Sequence, residues 1–173
     1  KFGTDGVRGV AHTELTTEFA EQLARAAAVE LLLPNRTVVI GGDTRESTPD
    51  FVAALAEGFR SEAIDVVDLG VVPTPLVAFE AQRRDAIGAM VSASHNPYAD
   101  NGIKLFAHGG AKLRDEVQTR IEGWLDRAEE PEIAERRGDL TAESDHSAYL
   151  AHVAGILEGR RLDSMTIVLD CAN

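Results

Sequence analysis

Residues 91–106, VSASHNPYADNGIKLF, hold the densest set of groups able to do chemistry. Ser92 and Ser94 lie two apart, His95 and Asn96 follow at once, and Pro97 restricts the backbone of Asn96. Lys104 arrives ten residues after Ser94. A serine hydroxyl is a weak nucleophile unless activated. It can carry a phosphoryl group where a metal ion and cations neutralise the charge. Lys104 is suited to a proton shuttle or a phosphate contact. Two other readings fit the pattern: a polar hairpin loop with an N-capping serine, and a Ser–His hydrolase. The hydrolase is the weaker, because adjacent Ser94 and His95 side chains diverge and the chain has no G-x-S-x-G elbow. Asp100-Asn101-Gly102 reads as a turn that folds IKLFA, 103–107, back beside the serines.

Two further stretches offer groups for an anion. In FGTDGVRG, 2–9, Gly3, Gly6 and Gly9 surround Thr4, Asp5 and Arg8. Such spacing exposes backbone N–H groups as an anion nest, and Arg8 could supply a forked phosphate contact. An ordinary glycine turn with a solvated arginine is the plainer alternative. In GGDTREST, 41–48, Asp43 and Arg45 could orient each other or the serine loop, and a structural ion pair is the simpler role. His12, His108, His146 and His152 show no metal-ligand spacing and read as surface or packing residues. Trp124 and the lone Cys171 read as packing groups.

The elements that must position these residues alternate between two periods. Leu15, Phe19, Leu23 and Ala27 mark a helix from about Thr17 to Leu33, stopped by Pro34 and Asn35. TVVIGGD (37–43), IDVVDLG (64–70), AIGAMVSA (86–93) and TIVLDCA (166–172) read as buried strands. Ser47-x-x-Asp50 resembles a capping box that opens a second helix, and VPTP, 72–75, precedes a third. Leu113, Val117, Ile121, Leu125 and Ala128 mark a fourth helix, and SAYLAHVAGILE, 147–158, a fifth. Residues 129–141 read as a charged surface connection. Strands alternating with helices indicate an α/β fold with right-handed βαβ units. The serine loop follows a strand end, where ligands bind in such sheets.

Composition sets outer bounds. At 173 residues the chain suits one domain of ordinary size with a piece of another. A net charge of −12 disfavours a nucleic-acid partner. An anionic substrate would therefore need a local cation cluster, a metal or oriented N–H groups. No apolar run reaches membrane-span length, and no signal peptide is visible, although a chain starting at Lys1 leaves a removed leader open. A single cysteine excludes an internal disulfide and fits a reducing, cytoplasmic setting.

FGTDGVRG, GGDTREST, VVPTP and SASHNPYADNGIKLF, in this order, resemble the α-D-phosphohexomutases from Phe2 to about Leu113. The closing TIVLDCAN resembles the start of that family's second domain. The resemblance implies a first domain over 1–145, a three-layer α/β unit with a mixed, largely parallel sheet between helices. Residues 146–173 would be a connecting helix and the first strand of a second domain. It implies an isomerase in which Ser94 holds the phosphoryl group and passes it to a hexose monophosphate through a bisphosphate intermediate. One Mg²⁺ would bind Ser94 through its phosphate, and a hexose 1,6-bisphosphate would act as primer. By motif, Lys104 is the acid/base helper, Arg8 lines the site, and His95 and Asn96 shape the loop. Ser92 is an auxiliary hydroxyl, and Thr4, Asp5, Gly6 and Arg45 belong to the substrate-phosphate surroundings. FGTDGVRG with SASHNP and NGIK most resembles the branch acting on a hexosamine phosphate, with glucose or mannose phosphates as the alternative. A homodimer of the full-length protein fits the resemblance, and no membrane partner is expected. Gly42 departs from the family's frequent G-R-D-T-R pattern. The family's acidic metal loop and sugar-selecting loops lie in later domains, so these residues alone are expected to be inactive. A catalytically idle interaction domain is the reading from another class, and the retention of Ser94, Lys104 and Arg8 speaks against it.

Overall fold

The computed structural model describes residues 3, 6–31, 35–126 and 136–170. In chain order the elements are β1 (Val7–Val10), α1 (Thr17–Glu30), β2 (Thr37–Gly42), α2 (Thr48–Ser61), β3 (Asp65–Val71), α3 (Thr74–Arg83), β4 (Ile87–Val91), β5 (Asp100–Phe106), α4 (Asp115–Leu125), β6 (Leu140–Ala142) and α5 (Ser147–Gly155). The six strands form one sheet in the order β1-β5-β4-β2-β3-β6. The pairs β4–β2, β2–β3 and β3–β6 are parallel, while β1–β5 and β5–β4 are antiparallel. The sheet is thus mixed and largely parallel.

Parallel strands joined by crossover helices need cover on both faces, so the central strands are apolar on both. In β2, Val38 and Ile40 face one core with Leu23 and Ala27 of α1, Phe51 and Leu55 of α2, and Ile121 of α4. Val39 faces the other with Leu76, Val77 and Ala81 of α3. This gives three layers. Thr16 caps α1 by accepting from the Phe19 N–H at 3.2 Å. The small residues Ala20, Ala24 and Ala27 of α1 are buried, and α2 approaches closely there. A Cβ on Gly58 would lie 2.3 Å from the Glu21 carbonyl oxygen.

Five expectations are corrected. The opening motif is not only a turn, because residues 7–10 form the edge strand β1 beside β5. Gly9 therefore sits in a ladder rather than in a nest. Asp100-Asn101-Gly102 is the start of β5, and the chain reverses earlier, between Ser94 and Ala99. The connection expected over 129–141 ends in a strand, β6, on β3; residues 129–135 lie outside the described ones. Ser47 makes no side-chain cap on α2. The strand expected over 166–172 does not form among the described residues: 166–170 have no regular structure, and Val168 is 88 % exposed. A β-branched run without a partner strand leaves its N–H and C=O groups to water, so sequence preference alone does not hold it extended. Leu32–Pro34, Ala128 and Cys171, assigned from the sequence to a helix end, a helix and a buried strand, fall outside the described residues. No described helix is long and apolar enough to cross a membrane.

The α1–α2 contact predicts that Gly58→Ala lowers unfolding free energy by about 1–3 kcal/mol, because backbone must move to admit the methyl group. Urea denaturation of both forms would measure it. An unchanged midpoint would place the two helices farther apart than described.

Candidate active site

The site is built at the carboxyl end of β4 and the loop that returns as β5. β4 ends at Val91, and the Ser92 N–H still donates to the Gly102 carbonyl at 2.9 Å. The chain then turns sharply at Ser94, whose φ of +59° lies in the left-handed region. For a residue with a Cβ this costs about 1–2 kcal/mol and persists only when neighbours hold it. The result is an exposed serine at the tip of the loop, next to exposed His95. Ser94 Oγ lies 3.4 Å from His95 Nδ1, so the two side chains do not diverge as expected from their adjacency, and both stand at the exposed tip of the loop. The Ser94 N–H donates to Ser92 Oγ at 3.0 Å, which gives the second serine a definite place in the turn.

Arg45 holds this loop from beneath. Its Nη2 donates to the carbonyls of Ser94 and Asn96, each at 3.0 Å. Its Nη1 donates to those of Pro97 and Asp100, at 2.7 and 3.1 Å. Its Nε donates to Asp43 Oδ2 at 3.0 Å. A guanidinium has five N–H donors, and here all five have protein acceptors. The side chain is 10 % exposed. Arg45 is thus the loop's support, which extends the ion-pair role read from the sequence and leaves no donor directed at a ligand.

Asp43 is itself held by several donors. The Arg45 N–H and the Thr48 hydroxyl reach Oδ1 at 3.1 and 2.8 Å. Burial pushes its carboxyl pKa upward, but hydrogen bonding from Ser92, Thr48 and Arg45 outweighs this and leaves the group below the usual aspartate range. Behind it stands Asn101, fully buried, whose Nδ2 donates to Ser47 Oγ and Thr48 Oγ1 at 2.9 and 3.2 Å. Its Oδ1 accepts from the Gly102 N–H at 2.8 Å. Ser47 therefore serves this network and not the helix cap. Asn101 was missed because 100–102 read as a turn. Extending IKLFA back by two residues would have placed Asn101 on the inward register with Ile103 and Leu105, an unusual place for an amide.

The remaining candidates spread around the loop. Arg8 pairs with Gly102 across the β1–β5 ladder, and its Nη1 stands 3.5 Å from Asn96 Oδ1. Asn96 Nδ2 donates to Asp100 Oδ2 at 3.0 Å, closing the loop on itself. Gly6, with φ +103°, packs its backbone on β5 where a Cβ would meet the Ile103 oxygen at 2.2 Å. Thr4 and Asp5 lie outside the described residues. Lys104 is opposite Met90 on β5, and its Nζ sits 5.6 Å from the centre of the Phe106 ring. Phe106 pairs with Gly88, at the end of the hairpin away from Ser94, so the ammonium would have to swing about its flexible stem to reach the loop. Gly42 leaves no room for the family's arginine without repacking, since a Cβ there would lie 2.3 Å from the Thr48 methyl. For a metal ion, the loop offers the single oxygen of Ser94. The Asp43 carboxylate already has its donors, and no three His, Cys, Asp or Glu side chains gather among the described residues. They do not by themselves fit a magnesium site, whose ion is usually held by carboxylates.

Residues 1–132 match the family model described as phosphoglucomutase/phosphomannomutase, alpha/beta/alpha domain I. The chain belongs to this family. Curated family relatives named phosphoglucosamine mutase include one from Rhodococcus jostii, 47% identical over 99% of this chain and 40% of its own length. Another, from Thermobifida fusca, is 45% identical with the same coverage. The crystal structure of a phosphoglucomutase/phosphomannomutase family protein from Burkholderia thailandensis superposes with a TM-score of 0.76 at 30% identity, covering 89% of this chain and 35% of that one. The chain therefore spans about two fifths of the length of the relatives it matches.

The depressed Asp43 pKa fixes the sign of a pH effect. The stabilisation it contributes is complete above the unfolded-state value and is lost as pH falls through the folded one. The loop should hold through mild acid and loosen only below about pH 4, the region of an ordinary aspartate. Unfolding free energy followed from pH 6 to 2 in the wild type and in Asp43→Asn would test this. The two curves should converge only at the acid end, and a constant gap down to pH 2 would contradict it.

Proposed function

We propose that this chain is the phosphoserine-bearing domain of a phosphoglucosamine mutase, interconverting glucosamine 6-phosphate and glucosamine 1-phosphate. The observation that carries the reading is Ser94, an exposed hydroxyl held at a left-handed turn at the tip of a loop whose backbone is fixed by Arg45. The names of the relatives at 45–47% identity support the sugar. In this reading phosphorylated Ser94 donates its phosphoryl group to one oxygen of the hexosamine monophosphate. The 1,6-bisphosphate so formed turns over, and its other phosphate returns to Ser94. The enzyme is primed by a hexose 1,6-bisphosphate. Arg8 offsets phosphate charge at the rim, which a chain of net charge −12 must arrange locally. His95 and Asn96 shape the loop, and Lys104 serves as acid/base helper once its side chain swings toward the reacting oxygen.

Mg²⁺ belongs to this proposal as a property of the full-length protein, with ligands besides Ser94. Turnover is likewise assigned to the full-length protein. Glucose or mannose phosphates are the alternative substrates, supported by the name of the family model and of the solved relative at 30% identity.

In the full-length protein Ser94→Ala should abolish mutase turnover, with residues 1–173 alone, given Mg²⁺ and primer, also silent. Isomer formation from glucosamine 6-phosphate is the assay, and near-normal turnover by Ser94→Ala would sink the assignment. Lys104→Met should lower kcat by roughly 10²–10⁴-fold with little change in KM, since a proton shuttle acts in the transition state. A change in KM alone would make Lys104 a binding residue instead.

A further inference from the structure

A left-handed serine must be held at both its N–H and its C=O, and here the two are held by different groups. The N–H donates to Ser92 Oγ and the C=O accepts from Arg45 Nη2. Arg45 is held from rotating away, because its Nε and its own N–H both end on Asp43, whose carboxylate accepts from the Thr48 hydroxyl, itself held by Asn101 Nδ2. The same guanidinium gathers the Asn96, Pro97 and Asp100 carbonyls, so one planar cation sets the curvature of the whole loop.

We infer that Arg45, oriented by Asp43, is a positioning residue for phosphoryl transfer: it holds the left-handed turn that presents Ser94 Oγ, and it acts without touching the substrate phosphate. This rests on the reading of Ser94 as phosphoryl carrier. The reason for arginine is geometric. Four carbonyl acceptors and a carboxylate around one group need a planar fork of five donors, and an ammonium has three donors around a point. Lysine at this position would keep the charge and lose the curvature.

The test joins two measurements. Amide exchange of residues 94–100 in this chain reports whether the turn is held. Steady-state kinetics of the full-length protein report whether holding it matters. Arg45→Lys should speed exchange across 94–100 and lower kcat on the order of 10²-fold, as misplacing a reacting group by about 1 Å does, while KM stays within about two-fold. Asp43→Asn should act the same way. The double variant should be little worse than the worse single one, because both act through one contact set. Ser92→Ala removes the partner of the Ser94 N–H together with one hydrogen bond to Asp43, and leaves the Arg45 fork itself in place. It should speed exchange at Ser94 and lower kcat by a smaller factor, on the order of 10-fold, with Ser92→Thr restoring both. A raised KM with kcat kept in Arg45→Lys would overturn the proposal, since Arg45 would then grip substrate. Loss of kcat with unchanged exchange would overturn it too, since Arg45 would then act on the chemistry directly. If neither Arg45→Lys nor Asp43→Asn folds, Ser92→Ala decides: unchanged exchange and kcat would refute positioning. Failure of the phosphoserine reading is separate, because it appears as turnover in Ser94→Ala, which the exchange measurement does not register.

Discussion

One guanidinium organises the site. Burying an arginine is costly unless every donor is matched and its charge is paired. Arg45 meets both conditions with four loop carbonyls and the Asp43 carboxylate. Those carbonyls converge on the guanidinium, and that of Pro97 also accepts from the Asp100 N–H at 3.0 Å. Without the cation they would lose these donors, and the turn at Ser94 would lose the contact on its C=O that helps to hold a positive φ. The loop's shape is therefore stored in a residue about fifty positions earlier in the chain.

The sheet makes that long-range contact possible. β2 and β4 are parallel neighbours, so their carboxyl ends lie side by side. The segment after β2, carrying Asp43 and Arg45, thus falls directly beneath the segment after β4, carrying Ser92 and Ser94. The Asp43 N–H donates to the Val91 carbonyl at 3.0 Å, which fixes the offset between the two loops. The antiparallel strands β5 and β1 extend the sheet on the far side of β4 and bring Lys104 and Arg8 to the same half of the molecule. The parallel half supplies support, and the antiparallel half supplies cations.

Charge is distributed accordingly. The chain is strongly acidic, yet Arg8, Arg45 and Lys104 all come from the strands and loops around Ser94. They are not equivalent. Arg45 is engaged by protein acceptors, Lys104 rests on an aromatic ring, and Arg8 stands at long hydrogen-bond distance from Asn96. Arg45 is placed to keep the backbone still.

The sequence by itself determined the layer architecture and singled out the loop with the densest polar groups. Apolar β-branched runs such as TVVIGG and IGAMV leave little choice but buried parallel strands, and SASHNP with NGIK marks the serine by residue type and order. Local pattern also located α1 to α5, because helical period is a property of adjacent turns. Only the tertiary structure decided what depends on pairing between distant segments. It made a strand of Val7–Val10, whose extended shape comes from β5, and of Asp100–Gly102, whose turn-forming residues are overridden by pairing with β1. It left 166–170 without a ladder despite an apolar sequence. It turned Ser47 from a cap into a partner of Asn101, and Arg45 from one half of an ion pair into the clamp of a loop. A short-range pattern records what a residue prefers next to its neighbours. A guanidinium's five acceptors, drawn from residues 43 to 100, exist only after the sheet has brought them together.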